Sequence, residues 1–369
     1  MARGFKYFCL FLFILGCIEP YKFIVKVNDP VLVVEGYISD KSFNETLTYP
    51  SDGRYFRVKL SLTGDVINHR PVLVKGAAVQ LVSDQNEEWA YTESDPVLKP
   101  GVYMLLADEF KARRTVKYKL RISLPGEGWY ESSWEELPVV DAPLMGGIGH
   151  TETEVQVYEI ELRKQVIKTR KGIVANISLP ENSLSTPLYY RWEFTPMWIY
   201  QAPLSSVSEP GHRCWVTDEN YLKDYVLQVD NAGGYLKDLF FLRTIRNERI
   251  YEDISVLISQ QSMSEKQYSF WREMQEQTEG GEIFDAPPFN LQTNMLSLNG
   301  DEKVVGYFSV VGEQAKRWYF NKEDLSYFVE NTLYADCTKP FVAVAPECFN
   351  CLAYSFGEAK NEKPSWWRK

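Results

Sequence analysis

Histidine is nearly missing from this 369-residue chain: His69, His150 and His212 are all there are, in three separate loop-like contexts. None has the H-x-x-x-H or H-x-H spacing that holds a metal, and the usual general base at neutral pH is scarce. A G-x-S-x-G elbow, a Gly-rich phosphate loop and an Asp-rich calcium loop are also absent, so no motif points to a nucleophile, a nucleotide or a bound cation. Positive charge is in deficit, with 40 Lys and Arg against 50 Asp and Glu for a net charge of −10. Such a chain is repelled by nucleic-acid phosphates and anionic headgroups. No metal, no cofactor and no nucleic-acid partner is expected.

Long apolar runs are lacking too, except in "FCLFLFILGCIEPY" at residues 8 to 21. Arg3 and Lys6 precede an apolar stretch from Tyr7 to Leu15, then the small Gly16 and Cys17, which is a signal-peptide layout. The stretch is roughly half of the ~20 apolar residues that span a bilayer as helix. Ile14-Leu15-Gly16-Cys17 resembles the lipobox of bacterial lipoproteins. That resemblance implies cleavage before Cys17 and a diacylglycerol on its thiol. Two or three acyl chains, at about 0.8 kcal/mol per buried methylene, suffice for stable anchoring. The expectation is a signal peptide at residues 1–16 and a lipidated tether at 17–30, anchored without spanning. Loss of Arg3 and Lys6 would carry the net charge from −10 to −12.

Of the six cysteines, Cys9 would leave with the leader and Cys17 would carry lipid, so Cys214, Cys337, Cys348 and Cys351 remain. An even number in an exported chain reads as two structural disulfides, with three connectivities open. Cys348-Phe349-Asn350-Cys351 also has zinc-ligand and C-x-x-C redox spacing. However, Cys337 stands alone before it, and Pro346 and Gly357 flank it without a helical period.

The remaining pattern is β. "RVKLSLTG" sets Val58, Leu60 and Leu62 against Arg57, Lys59 and Ser61, and "KYKLRISLPG" sets Tyr118, Leu120, Ile122 and Leu124 against Lys117, Lys119, Arg121 and Ser123. Period two means strands with one buried face. With "VLVVEGYISD", "AAVQLVSD" and "GVYMLLAD" between turn formers, residues 31–137 predict a sandwich of the immunoglobulin or transthyretin type. "LPVVDAPLMGGIGH" suggests a linker at 138–150 before a second β-rich domain, 151–369. There "VQVYEIEL" switches phase, predicting a bulge near Tyr158. "GIVANISL", "LYYRWEFTP", "DYVLQVD" and "VVGYFSV" are further strands. One helix is expected at 263–278, capped by Ser262 or Ser264 and stopped by Gly280-Gly281, with irregular chain at Pro287-Pro288. The fold class is therefore mainly β, a sandwich followed by a β-rich domain with one helix.

Aromatic residues make up 14% of the chain and concentrate in "LYYRWEFTPMWIY". Tyr190, Trp192 and Phe194 share one strand face, as a core would have them. Trp198 and Tyr200, with Trp366 and Trp367 near the tail, are candidate contacts for a ligand or partner, the tail pair against the Cys351 segment or a partner. Carboxylates in "DQNEEW", "TETEVQVYEIE" and "EMQEQTEGGEIFD" could supply an acid/base pair for glycoside hydrolysis, but their composition also fits solvated faces.

The order of "GCIEPY", "LVVEGYI", "YYRWEF", "IFDAPPFNLQTNM", "VVGYFSV" and a Cys-rich segment ending "KPSWW" resembles the Bacteroidota lipoproteins grouped as domain of unknown function 4249. The resemblance implies an outer-membrane lipoprotein encoded beside TonB-dependent transporters, with an accessory or ligand-binding role. The expectation is a lipid-anchored outer-membrane accessory, not an enzyme, whose partner is such a transporter. The alternative is a lipid-anchored glycan or peptide hydrolase.

Overall fold

The computed structural model describes residues 30–63, 72–95, 99–126, 128–161, 164–279, 291–300 and 303–368. Cys17, the signal segment and Pro287-Pro288 lie outside them. The strands are β1 (Leu32–Ser39), β2 (Phe56–Leu62), β3 (Val72–Leu73), β4 (Ala78–Ser83), β5 (Glu88–Ala90), β6 (Thr92–Asp95), β7 (Lys99–Leu105), β8 (Tyr118–Ser123), β9 (Trp129–Ser132) and β10 (Ile148–Glu161). They continue as β11 (Lys164–Leu179), β12 (Leu188–Gln201), β13 (Arg213–Thr217), β14 (Val226–Asp230), β15 (Tyr235–Arg243), β16 (Ile254–Met263), β17 (Met295–Ser297), β18 (Val304–Phe320) and β19 (Glu358–Lys360). Helices α1 (Phe43–Thr46), α2 (Glu265–Glu279) and α3 (Leu333–Cys337) are short interruptions of a mainly β protein.

The alternating segments fold as their pattern dictates: in β8, Tyr118, Leu120 and Ile122 are buried, while Lys119, Arg121 and Ser123 are half-buried. Among the described residues three sheets result. An 11-stranded sheet runs β19-β13-β12-β16-β18-β1-β2-β7-β6, with β14 beside β12 and β3 beside β2. A five-stranded sheet, β17-β9-β8-β4-β5, buries Leu81, Leu120, Ile122 and Tyr130 in one core with Val34, Val58 and Tyr103 of the large sheet. A three-stranded sheet, β10-β11-β15, buries Ile173, Ile177 and Leu242 in a second core with Trp192, Val256 and Phe320. The architecture is thus sandwich-like, with two smaller sheets side by side on one face of a large one.

β18 serves both cores. Its 17 residues place Val304, Phe308 and Val310 in the first and Trp318 and Phe320 in the second. β1 lies parallel to its first half, from Leu32 opposite Val304 to Ser39 opposite Val311. Residues 291–311 therefore rejoin the first core although they follow the expected linker at 138–150. A strand of that length extends about 50 Å. Residue 30 sits at one end of it, and Phe320 marks the other.

Helix α2 begins after Ser264, whose Oγ accepts from the Gln267 amide at 3.3 Å, so the expected cap is present. Met263, expected inside the helix, is instead the last residue of β16. Phe270 packs on Tyr307 and Tyr268 on Tyr189, each pair with ring centroids 5.3 Å apart.

The bulge expected near Tyr158 is not there. β10 pairs with β11 in unbroken register from Ile148 opposite Ile177 to Glu161 opposite Lys164, and the irregularity falls instead between Ala175 and Asn176 against β15. The phase switch in "VQVYEIEL" has another cause. β15 supports β11 only from Gly172 onward, so the outer part of the hairpin is a two-stranded ribbon with two open faces. Tyr158, Ile160 and Ile167 are exposed on one. The other carries ion pairs of Glu159 with Arg170 and Lys168, and of Lys168 with Glu161.

Candidate functional site

A crevice of about 410 Å³ opens where the linker crosses between the two smaller sheets. Asp40, Lys41, Lys111, Arg113, Arg114 and Asp141 are among the residues that line it. Both carboxylates are engaged: Asp40 lies 3.2 Å from Lys41 Nζ and accepts from the Glu313 amide at 2.8 Å, and Asp141 pairs with Arg114. Lys111 holds Glu45 at 2.7 Å, and Arg113 holds Glu87. Each carboxylate of the crevice thus has a cationic partner, and Asp40 also has a backbone amide.

The acidic stretches resolve in the same sense. Glu88 pairs with Arg121, Glu154 with Lys171 and Glu276 with Arg272, and Glu152 accepts from the amide and hydroxyl of Ser326 at 2.6 Å each. Glu135 differs: burial pushes its carboxyl up, although Asn294 and Ser133 at 3.0 Å and Tyr307 at 3.3 Å all donate to it. Its partners tie the end of the first core to the returning segment, which is a structural task. On the opposite face of the large sheet, Arg54 joins Glu313 to the Tyr37 hydroxyl, the latter at 2.7 Å, and Arg191 lies 2.7 Å from Glu193. Arg191 also stacks 3.7 Å from the Trp271 ring. Among the described residues no cluster of His, Cys, Asp and Glu could hold a metal ion.

The four cysteines form two disulfides, Cys214–Cys351 and Cys337–Cys348. The C-x-x-C pair is therefore divided between two bridges. Backbone hydrogen bonds fix the same segment, from Leu204 to the Cys348 carbonyl at 2.9 Å and from Cys351 to the Gly211 carbonyl at 2.7 Å. β12 runs in the sense of β18, because both are antiparallel to β16, so Cys214, opposite Tyr200, lies beyond the Phe320 end. The stapled segment therefore sits at the end of the molecule remote from residue 30. Phe328, Tyr334, Phe341, Val342, Phe349 and Phe356 are all exposed there.

The hairpin points the same way. Met145 contacts Gln314 and Lys316, His150 lies against Phe320 with ring centroids 5.1 Å apart, and Glu152 reaches Ser326, so β10 advances along β18 and past its end.

The aromatic candidates move inward. Trp198 and Tyr200 are 0% and 3% exposed, packed against Tyr354 in the second core, so they are not surface contacts. Their strand lies mid-sheet, flanked by β13 and β16, and the Cys351 segment covers them. Tyr190 and Trp192 are buried in the same core, with Phe194 packed against it. Trp366 and Trp367 dock on the end of β18 rather than on the Cys351 segment: Trp366 Nε1 donates to Asp52 at 2.7 Å, Arg317 lies 3.6 Å from its ring, and Trp367 meets Tyr319 edge-on at 5.5 Å.

Burial would raise Asp253, but hydrogen bonds from Arg368 and from Asn321, the latter at 3.0 Å, hold its carboxyl below the ordinary range. A depressed carboxylate stabilises above its unfolded pKa, about 3.9, and that contribution is lost as pH falls through the lower folded value. The tail is expected to loosen below about pH 4. Acid titration of tryptophan fluorescence should show this step in the native chain, whereas Asp253→Asn should lack it; identical titrations would contradict the assignment.

The profile of the family Domain of unknown function (DUF4249) matches residues 18–317. The chain belongs to this family. No curated protein matches it. The family match stops before the end of β18, so the disulfide-bearing segment lies beyond it. Phe341, Val342 and Val344 were not singled out from the sequence. The signal was present as "PFVAVA", an uncharged run closed by a cysteine on either side.

Proposed function

We propose that this protein is a lipid-anchored accessory of the outer membrane, held by acyl chains on Cys17, that works by contact beside a TonB-dependent transporter and not by turnover. The polarity of the molecule carries this reading. Residue 30, where the tether would join the fold, lies at one end of β18, and the exposed Phe328, Tyr334, Phe341, Val342, Phe349 and Phe356 lie beyond the other, about 50 Å away. Apolar side chains left in water at that density mark a surface awaiting a partner. A tether keeps such a surface close to a membrane-embedded barrel, so weak contacts gain from high effective concentration. The ion-paired carboxylates of the crevice also favour contact over catalysis. Affinity purification from gently solubilised envelopes tests the proposal. A co-purifying β-barrel is the expected result, and recovery of the protein alone, with hydrolysis of a glycan or peptide, would replace it with the hydrolase reading.

A further inference from the structure

Thr338 to Ala345 form a loop closed by the Cys337–Cys348 bridge, and its tip, Pro340-Phe341-Val342-Ala343-Val344-Ala345, carries no charge. Residues 338–344 are all exposed, and Phe341 is fully so. Its backbone has φ +64°, a left-handed conformation that a bulky residue rarely adopts. Both features cost free energy, and neither brings a contact within the chain. An exposed aromatic ring held at a strained loop tip is a signature of a functional contact.

We propose that this loop is an anchor that inserts Phe341, flanked by Val342 and Val344, into an apolar cleft on a protein partner. This deepens the contact function proposed above and rests on it. Both ends of the loop are held in place. The disulfide closes its base, helix α3 leads into Cys337, and a helical turn at Pro346–Cys348 leads out, with the Cys348 amide donating to the Ala345 carbonyl at 3.0 Å. The closed base reduces the conformational entropy that binding must remove.

Three observations favour a protein cleft. The tip is convex, so a two-fold pair of copies would set one ridge against another, where an isologous contact needs a surface complementary to itself. The loop lies at the end of the fold opposite residue 30, about 50 Å from the point where the tether would join. Lys339, the one cation between Cys337 and Cys348, is paired with Asp336 at 2.6 Å.

The test uses the full-length chain in its native envelope, with benzoylphenylalanine in place of Phe341 and, separately, of Val139, an exposed linker residue remote from the loop. Irradiation should cross-link position 341, and not 139, to one protein, and the linked peptide should come from an apolar concavity of that protein. Phe341→Ser combined with Val342→Ser should lower recovery of the same protein about tenfold or more, while Phe341→Leu largely retains it. If position 341 links only to lipid or to a second copy, or if the double variant recovers the partner undiminished, the loop is not the anchor and the contact function stands. If no partner is recovered by any form of the chain, both readings fall.

Discussion

Gly306→Ala is expected to leave no folded protein. Gly306 lies in β18 opposite Val34, at φ +119°, where an added Cβ would sit 1.9 Å from the Val34 carbonyl oxygen and 2.8 Å from its carbonyl carbon and amide nitrogen. All three are backbone atoms within a hydrogen-bonded pair, so no rotamer change relieves the clash. The strands must separate, and this parallel pairing is what recruits residues 304–311 to the first core. The backbone strain alone costs about 1–3 kcal/mol, and loss of the pairing carries the total past about 5 kcal/mol, a large share of a typical domain's stability. Gly126→Ala is the control: φ is +73°, but nothing lies within 4 Å of the added carbon, so the cost should stay near 1 kcal/mol. Urea denaturation of both variants decides it, and a native midpoint for Gly306→Ala would disprove the local geometry.

The two disulfides should differ sharply in their contribution. Cys214–Cys351 closes 137 residues and fastens the outer edge of the large sheet, whereas Cys337–Cys348 closes 11. Loop-closure entropy assigns about 5 kcal/mol to the first and about 3 kcal/mol to the second. Cys214→Ser with Cys351→Ser should therefore strip a large part of the global stability. Cys337→Ser with Cys348→Ser should free the 338–345 loop while both cores survive. Non-reducing peptide mapping should find these two bridges and no free thiol among the four, and equal losses of stability from the two pairs would contradict the assignment of the long bridge to the edge of the fold.

The strands with one wet face were legible, because alternation in β8, and in β2 as far as Leu60, reports burial directly, whereas at the end of β2 Ser61 is buried and Leu62 half-buried. β16 was not: Ile254 to Met263 is buried on both faces, so its sequence has no period to read. The union of β1 with β18 was hidden for another reason. It joins segments about 270 residues apart by parallel pairing, which leaves no local signal. Trp198 and Tyr200 show the limit of aromatic clustering, since rings that suit a ligand platform equally suit a core, and only the position of β12 inside the sheet separates the two. The opposite error touches Phe341. A short apolar run between cysteines reads as ordinary packing until the loop is seen to project from the fold. The cysteines themselves were readable as a pair of bridges, but their connectivity depends on β13 meeting the Cys351 segment in space.

The most direct measurement is restoration of a deletion phenotype by an untethered chain, exported with a cleavable leader in place of residues 1–17. Contact beside a membrane barrel requires the tether, so this chain should fold, form both disulfides and still fail to restore the wild-type phenotype, while the Cys17 form succeeds at equal abundance. Full restoration by the untethered chain would contradict a function that depends on being held at the membrane.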